Sequence, residues 1–120
     1  MEFGAERAIY LQIADHICEM ILAKEVQPFD KISSVRELAV ELQVNPNTVV
    51  RTFSYLEEKG IIQKQRGIGY FVTDEAYKRT QKLLMDIFLY QKLPIFFRTM
   101  SLLNVTFDDL KKLRGTYEKK

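Results

Sequence analysis

Two helix starts lie close together in this 120-residue sequence, and their spacing limits what the chain can fold into. Residues 34–37, SVRE, have the pattern of a capping box, in which the side chains of Ser34 and Glu37 cap each other's backbone N–H groups. Asn45 is a favourable N-cap, and Pro46 suits the first helical position, where no backbone N–H is needed. Only a tight turn separates the two helices. The sequence therefore predicts a helix-turn-helix.

The flanking segments predict a winged helix. Residues 9–24 carry apolar side chains at helical spacing, which indicates a first helix. Residues 61–64 and 70–73 have the composition of two short strands, joined by a loop that contains two glycines. A small hairpin directly after a helix-turn-helix is a wing. The expected fold is mainly α with a small β-hairpin, followed by a short helical region.

The helix that follows Asn45 presents two different faces. Val49, Phe53 and Leu56 recur at helical spacing and predict the inward side. The outward side is expected to carry amides, hydroxyls and a guanidinium but no carboxylate, which fits the major groove of DNA. Taken alone, the stretch also fits a solvated helix face that binds nothing. The predicted DNA-binding residues, including those of the wing, are Arg36, Asn45, Asn47, Thr48, Arg51, Thr52, Lys64, Arg66 and Gly67.

The distribution of charge says more about partners than the formal net charge of +2. Residues 1–30 hold two basic groups against six acidic ones, whereas residues 74–120 hold ten against six. Within residues 42–73 the only acids are Glu57 and Glu58, at the far end of the helix that follows Asn45, which we call the recognition helix. The middle of the chain is therefore the part expected to face a polyanion.

Residues 74–120 predict a separate helical region. A helix is expected over residues 75–92, with an interruption at Pro94 and a last helix after Thr106. Two or three helices cannot bury this much aromatic surface among themselves. They are therefore expected either to fold over the winged helix or to pair with a second chain. We favour a homodimer and divide the chain into residues 1–73 and 74–120. The predicted interface is Leu84, Ile87, Phe88, Ile95, Phe96, Phe97, Met100 and Leu103.

No constellation typical of an enzyme or a metal site is visible. The only histidine and the only cysteine, His16 and Cys18, lie on the first helix, where neighbouring residues do not converge on one ion. We expect no catalysis, no metal and no cofactor. No apolar run reaches the roughly 18 residues that span a bilayer, and the N-terminus lacks a signal-peptide pattern. A cytoplasmic protein with no membrane partner is expected.

Residues 9–73 resemble the winged-helix domain of the GntR family of bacterial transcriptional regulators. The segments that carry the resemblance are IYLQIADHICEMI at 9–21, SSVRELAVEL at 33–42, VNPNTVVRTFSYLEEKGII at 44–62 and RGIGYFV at 66–72. The short tail and the NPNTV start are similar to the YtrA subfamily. The resemblance implies DNA contacts by Arg36, by Asn47 and Thr48 in the recognition helix, and by Arg66 and Gly67 at the wing tip.

The sequence departs from the commoner family pattern at the start of the recognition helix. Pro46 stands where many members have a basic residue, and Val50 stands where many have Arg. The subfamily form NPNTVxR gives the base-reading role to Arg51 instead. Operators known for other branches are therefore not transferable to this chain.

These observations lead to a hypothesis of a homodimeric regulator that binds a palindromic double-stranded DNA operator. Repression is favoured over activation, the resemblance suggests neighbouring transporter genes as targets, and a small-molecule effector would act through the tail. The alternative is a protein-interaction winged helix that uses the aromatic patch of the tail. Single-stranded nucleic acid or RNA binding would need exposed aromatics on a sheet, for which only Tyr70 and Phe71 are available.

Overall fold

The computed structural model describes residues 7–118. Six α-helices and one two-stranded sheet follow one another within these residues. They are α1 (Ile9–Leu22), α2 (Val35–Leu42), α3 (Pro46–Glu58), β1 (Ile62–Gln65), β2 (Gly69–Val72), α4 (Ala76–Ile87), α5 (Leu93–Leu103) and α6 (Phe107–Glu118), with a π-helical turn, Phe88–Lys92, between α4 and α5. Residues 1–6, part of the segment used to predict the absence of a signal peptide, lie outside the described residues.

Both helix starts of the helix-turn-helix form as predicted. At α2 the Glu37 backbone N–H donates to the Ser34 hydroxyl at 3.1 Å, and the Ser34 backbone N–H donates to the Glu37 carboxylate at 3.1 Å. At α3 the Asn47 backbone N–H donates to the Asn45 side-chain oxygen at 2.8 Å. Each cap satisfies backbone N–H groups that a helix start would otherwise leave without a partner.

The turn between α2 and α3 is made without glycine. Gln43 takes the left-handed conformation, with φ of 55° and ψ of 50°, and ends α2. The backbone N–H of Val44 then donates to the Ala39 carbonyl at 3.0 Å, which closes the helix end. A single left-handed residue is enough to redirect the chain into α3.

The wing is an antiparallel hairpin, and the chain just before α2 forms further hydrogen bonds with its second strand, β2. Ile62 pairs with Val72 and Gln65 pairs with Gly69, so each strand is displaced by one residue from the predicted segment. The Ile32 N–H donates to the Tyr70 carbonyl at 3.0 Å, and the preceding loop also pairs with β2. The loop therefore anchors the hairpin to the start of the helix-turn-helix.

The core of the winged helix lies between α1, α3 and the base of the wing. Phe53 is fully buried on α3, and its ring meets that of Tyr70 on β2 edge to face, with centroids 4.7 Å apart. The other large apolar core side chains are Ile13, Ile17, Ile21, Val49, Leu56, Ile61, Ile62 and Val72. This core fixes α3 by its inward side and leaves the opposite side open.

Pro94 does not interrupt the helix, which corrects the prediction. The residues on either side of the π-helical turn, Ile87 and Leu93, both have α-helical backbone angles. A proline inside an α-helix removes one hydrogen bond and crowds the carbonyl four residues earlier. Pro94 lies in the first turn of α5, where a missing backbone N–H costs little, and the π-helical turn Phe88–Lys92 precedes α5, so the chain stays helical on both sides of the turn.

The chain forms two compact units, the first ending at Lys82 and the second beginning at Leu83. The first turns of α4 belong to the first unit because Ala76 and Thr80 are buried there and Arg79 donates to the Gly60 carbonyl at 3.0 Å. The structural division is thus later than residue 73, whereas the functional division into residues 1–73 and 74–120 stays a prediction. No helix described within residues 7–118 is long and apolar enough to cross a bilayer.

Candidate nucleic-acid interface

The outward side of α3 is exposed, has no acid over about its first two and a half turns, and is polar except for Val50, which is 46% exposed. Asn47, Arg51 and Ser54 are exposed, and Thr48 is half-buried. The two acids of the helix, Glu57 and Glu58, occupy its last turn. A helix N-terminus also carries a partial positive charge, which favours phosphate. The N-terminal half of α3 is therefore the part suited to enter a groove of DNA.

Asn45 is exposed, but its side-chain oxygen is already used. It accepts the backbone N–H of Asn47 and so holds the first turn of α3 in shape. The Asn45 carbonyl in turn accepts the Thr48 backbone N–H at 2.9 Å. The bond from the Asn47 N–H gives Asn45 the role of capping α3, and its amide NH₂ projects for another partner without disturbing the cap.

Thr52 lies in the core, and the prediction that it faces outward is wrong. Its exposed fraction is 0%. Its hydroxyl lies 2.8 Å from the Tyr10 carbonyl of α1 and 3.1 Å from the Thr48 carbonyl one turn earlier, both within donating distance. The hydroxyl can be buried because its one proton has a carbonyl acceptor within reach on either side. Thr52 therefore joins α3 to α1 and presents nothing to DNA.

Arg51, the next residue along, has a partner that sequence reasoning missed. Its guanidinium carbon lies 4.1 Å from the centroid of the Tyr10 ring, over the ring. Tyr10 is the second residue of α1, outside the apolar stripe of that helix. The only sequence signal was an aromatic residue next to that stripe, which does not by itself indicate a contact with α3.

The wing tip presents two cations and one exposed apolar side chain, Ile68 at 58%. Lys64, Arg66 and Gly67 are all exposed. The turn is closed by the Ile68 N–H, which donates to the Gln65 carbonyl at 2.9 Å, and Gly67 takes a φ of 79°. A Cβ at Gly67 would meet no atom within 4 Å. The glycine is therefore needed for its backbone angle and not for close packing within the monomer.

The start of α2 adds one more exposed cation, Arg36, next to the capping box. Hydrogen bonds from Ser34, above all from its backbone N–H, hold the pKa of the neighbouring Glu37 carboxyl below its usual value. Glu37 thus remains ionised and committed to the cap. Within the first unit, the predicted DNA-binding residues other than Thr52 lie at the start of α2, on and just before α3, and on the wing.

A second surface, in the unit that begins at Leu83, is apolar. Its exposed large side chains include Ile95 at 69%, Leu102 at 73% and Leu103 at 67%. Phe97 and Phe107 meet edge to face, with ring centroids 5.9 Å apart, and join α5 to the start of α6. We call this surface the tail patch; its exposed members are Phe88, Leu89, Tyr90, Ile95, Phe96, Phe97, Leu102, Leu103 and Phe107.

The predicted dimer interface needs a correction at two positions. Ile87 and Met100 are only 7% and 8% exposed within a single chain. They therefore have almost no surface to offer to a partner. Leu84 is half-buried, whereas the other predicted interface residues are exposed. Within residues 7–118, no group of three or more His, Cys, Asp or Glu side chains is placed to hold a metal ion.

Comparison with known proteins identifies this architecture. A family model described as "Bacterial regulatory proteins, gntR family" matches residues 9–72, from the start of α1 to the end of β2. The match covers more than half of the chain. The chain belongs to the gntR family. The family predicted from the sequence is therefore confirmed, and it is a family of regulatory proteins and not of enzymes.

Two gntR-family relatives from Bacillus subtilis (strain 168) are similar to the winged helix. The uncharacterized HTH-type transcriptional regulator YhcF is 47% identical over 75 residues, which cover 62% of this chain and 62% of YhcF. The HTH-type transcriptional repressor YtrA is 43% identical over 68 residues, which cover 57% of this chain and 52% of YtrA. Each similarity spans less than two thirds of the relative's own length.

Solved structures extend the similarity to the tail. A GntR family transcriptional regulator from Listeria monocytogenes superposes with a TM-score of 0.74 and 35% identity, covering 98% of this chain and 99% of that one. The DNA-binding domain of AraR in complex with its operator ORR3 superposes with a TM-score of 0.53 and 25% identity, covering 61% of this chain and 90% of that one. The predicted fold, a winged helix followed by a helical tail, is thereby confirmed.

Proposed function

We propose that this gntR-family chain is a sequence-specific, double-stranded DNA-binding regulator that acts as a homodimer on a palindromic operator. The observation that carries the proposal is the outward side of α3, where Asn47 and Arg51 are exposed without a carboxylate beside them. Arg pairs with guanine and Asn with adenine in the major groove. The AraR complex supports the same use of a related winged helix.

The wing and the start of α2 supply contacts that do not depend on sequence. Lys64 and Arg66 are exposed at the wing, and Arg36 is exposed on α2. Cations in such places neutralise phosphates and fix the orientation of the protein on the duplex. Arg66 at the hairpin tip is also of a length and charge that suit the minor groove.

The tail patch supports pairing with a second copy. Large apolar side chains that are two-thirds or more exposed, such as Ile95 and Leu102, cost free energy in water unless another surface covers them. One winged helix also contacts too few base pairs for useful specificity. A two-fold dimer would place two α3 helices in successive major grooves, with half-sites about 10 base pairs apart or a multiple of that distance.

We infer repression as the sign of regulation, since a dimer bound over a promoter would block polymerase. The relative YtrA is named a transcriptional repressor, which supports this sign of regulation. A small-molecule effector that changes how the two copies pair would change the spacing of the two recognition helices and so release the operator. The resemblance to the YtrA subfamily supports transporter genes as targets.

The decisive experiment selects bound duplexes from a random pool with the wild-type protein and measures its mass in solution. We expect a palindromic motif and the mass of a dimer. Binding that is blind to sequence and disappears with added salt would refute the operator, because salt weakens the phosphate contacts that all duplexes share. A monomer without affinity for DNA would favour the alternative, a protein-interaction module that uses the tail patch.

A further inference from the structure

The contact between Arg51 and Tyr10 suggests a role for α1 in base recognition. The Arg51 guanidinium carbon lies 4.1 Å from the Tyr10 ring centroid. A cation over the face of an aromatic ring is attracted by the ring's electron density, and this attraction uses none of the five N–H donors of the guanidinium. Within residues 7–118, Arg51 makes no ion pair, so those donors stay available for a base edge.

Tyr10 contacts α3 through both its ring and its backbone carbonyl. Its edge-to-face partner is the Tyr55 ring, with centroids 6.3 Å apart and an interplanar angle of 77°. Its own carbonyl accepts the hydroxyl of the fully buried Thr52. Both partners, Thr52 and Tyr55, belong to α3 and follow Arg51 within about one helical turn. The buried hydrogen bond fixes the Tyr10 backbone against α3, and the Tyr55 ring supports the Tyr10 ring beside Arg51.

We propose that Tyr10 is a positioning residue that holds the Arg51 guanidinium ready for base recognition. The inference rests on the proposed function, because it assigns Tyr10 a part in reading the operator. A free arginine side chain samples many rotamers, and ordering it on binding costs entropy. A guanidinium that already lies over a ring has lost part of that freedom before it meets DNA.

The wild-type protein provides one test that needs no substitution at Tyr10. The ¹⁵Nε relaxation of the Arg51 side chain is measured in the free protein and compared with that of Arg66, which is exposed at the wing tip. We expect Arg51 to be markedly more rigid on the ps–ns timescale, with its Hε resonance shifted by the ring current of Tyr10. Equal mobility of the two arginine side chains would overturn the proposal.

A double-mutant cycle provides the second test. Tyr10→Phe keeps the ring and is the matched control, whereas Tyr10→Leu keeps apolar bulk without a ring. Affinity is measured for the selected operator, for operators with one base pair changed, and for random duplex. Tyr10→Leu should weaken operator binding about two- to fivefold, the range of an exposed cation–π contact, and blur the position that Arg51 reads. Tyr10→Phe should bind as the wild type does.

The Arg51→Ala background separates positioning from packing. If Tyr10 acts through Arg51, Tyr10→Leu costs no further operator affinity in that background. An equal loss in both backgrounds, an equal loss on random duplex, or no loss at all would overturn the proposal while leaving the operator established. A wild-type protein that selects no motif would overturn the proposed function, and this inference with it.

Discussion

Thr52→Val tests the placement of this residue in the core. The substitution keeps the shape of the side chain and removes only the hydroxyl, which lies 2.8 Å from the Tyr10 carbonyl and 3.1 Å from the Thr48 carbonyl. The hydroxyl has one proton, so one hydrogen bond is lost at any moment. Both carbonyls belong to helices and keep a backbone donor, so neither is left without a partner.

The expected cost follows from that geometry. One buried hydrogen bond with no cavity and no orphaned acceptor contributes about 0.5–1.5 kcal/mol to the free energy of unfolding. For a chain of this size 1 kcal/mol corresponds to about 3–6 °C, so the midpoint of thermal unfolding should fall by about 2–9 °C. Thr52→Ser is the matched variant, because it keeps the hydroxyl and removes one buried methyl group, at a cost of about 1 kcal/mol.

The assay combines stability with DNA binding. Unfolding by urea is followed by circular dichroism at one fixed protein concentration, since dimerisation would make stability depend on concentration. Binding is then measured on the operator and on operators with single base-pair changes. We expect both Thr52 variants to be less stable and to keep the wild-type order of base preferences. Unchanged stability together with lost discrimination at one base pair would show that Thr52 faces DNA, and the reasoning would fail.

Three further outcomes are expected. Arg51→Ala should cost about 1–3 kcal/mol of binding free energy on the operator and relax the base preference at one position. Lys64→Ala should instead weaken binding to all duplexes alike and lower the dependence of binding on salt. Equal losses of affinity on operator and random DNA for Arg51→Ala would contradict base reading. Burial, with smaller contributions from nearby acids, raises the pKa of the Cys18 thiol from 9.0 to about 12, so a thiol reagent at pH 8 should label only unfolded protein. Rapid labelling of the native protein would show that the thiol is accessible and contradict its burial. Because the unfolded thiol ionises at lower pH than the folded one, the free energy of unfolding should fall as pH rises from 9.0 towards about 12. The double variant Leu102→Glu, Leu103→Glu should be a folded monomer by sedimentation and should bind the operator more weakly than the wild type. An unchanged dimer would place the interface elsewhere.

Local signals were enough to predict the winged helix. The capping box at Ser34, the N-cap at Asn45 and the hairpin glycines are satisfied within a few residues of the chain, so the sequence alone determines where these elements begin. The acid-free outward side of α3 was predictable for the same reason, because helical spacing depends only on the order of residues. The gntR-family resemblance rests on these same local patterns.

Tertiary structure decided the rest, because the deciding partners lie far away along the chain. Thr52 looked like a surface residue by type, but its hydroxyl reaches the carbonyl of Tyr10, 42 residues earlier. Arg51 lies over a ring that only the packing of α1 against α3 places there. Pro94 was expected to interrupt a helix, but it lies in the first turn of α5, after a π-helical turn that periodicity does not encode. Side chains at the border between two faces of a helix are assigned by what packs against them, and that is a property of the folded chain.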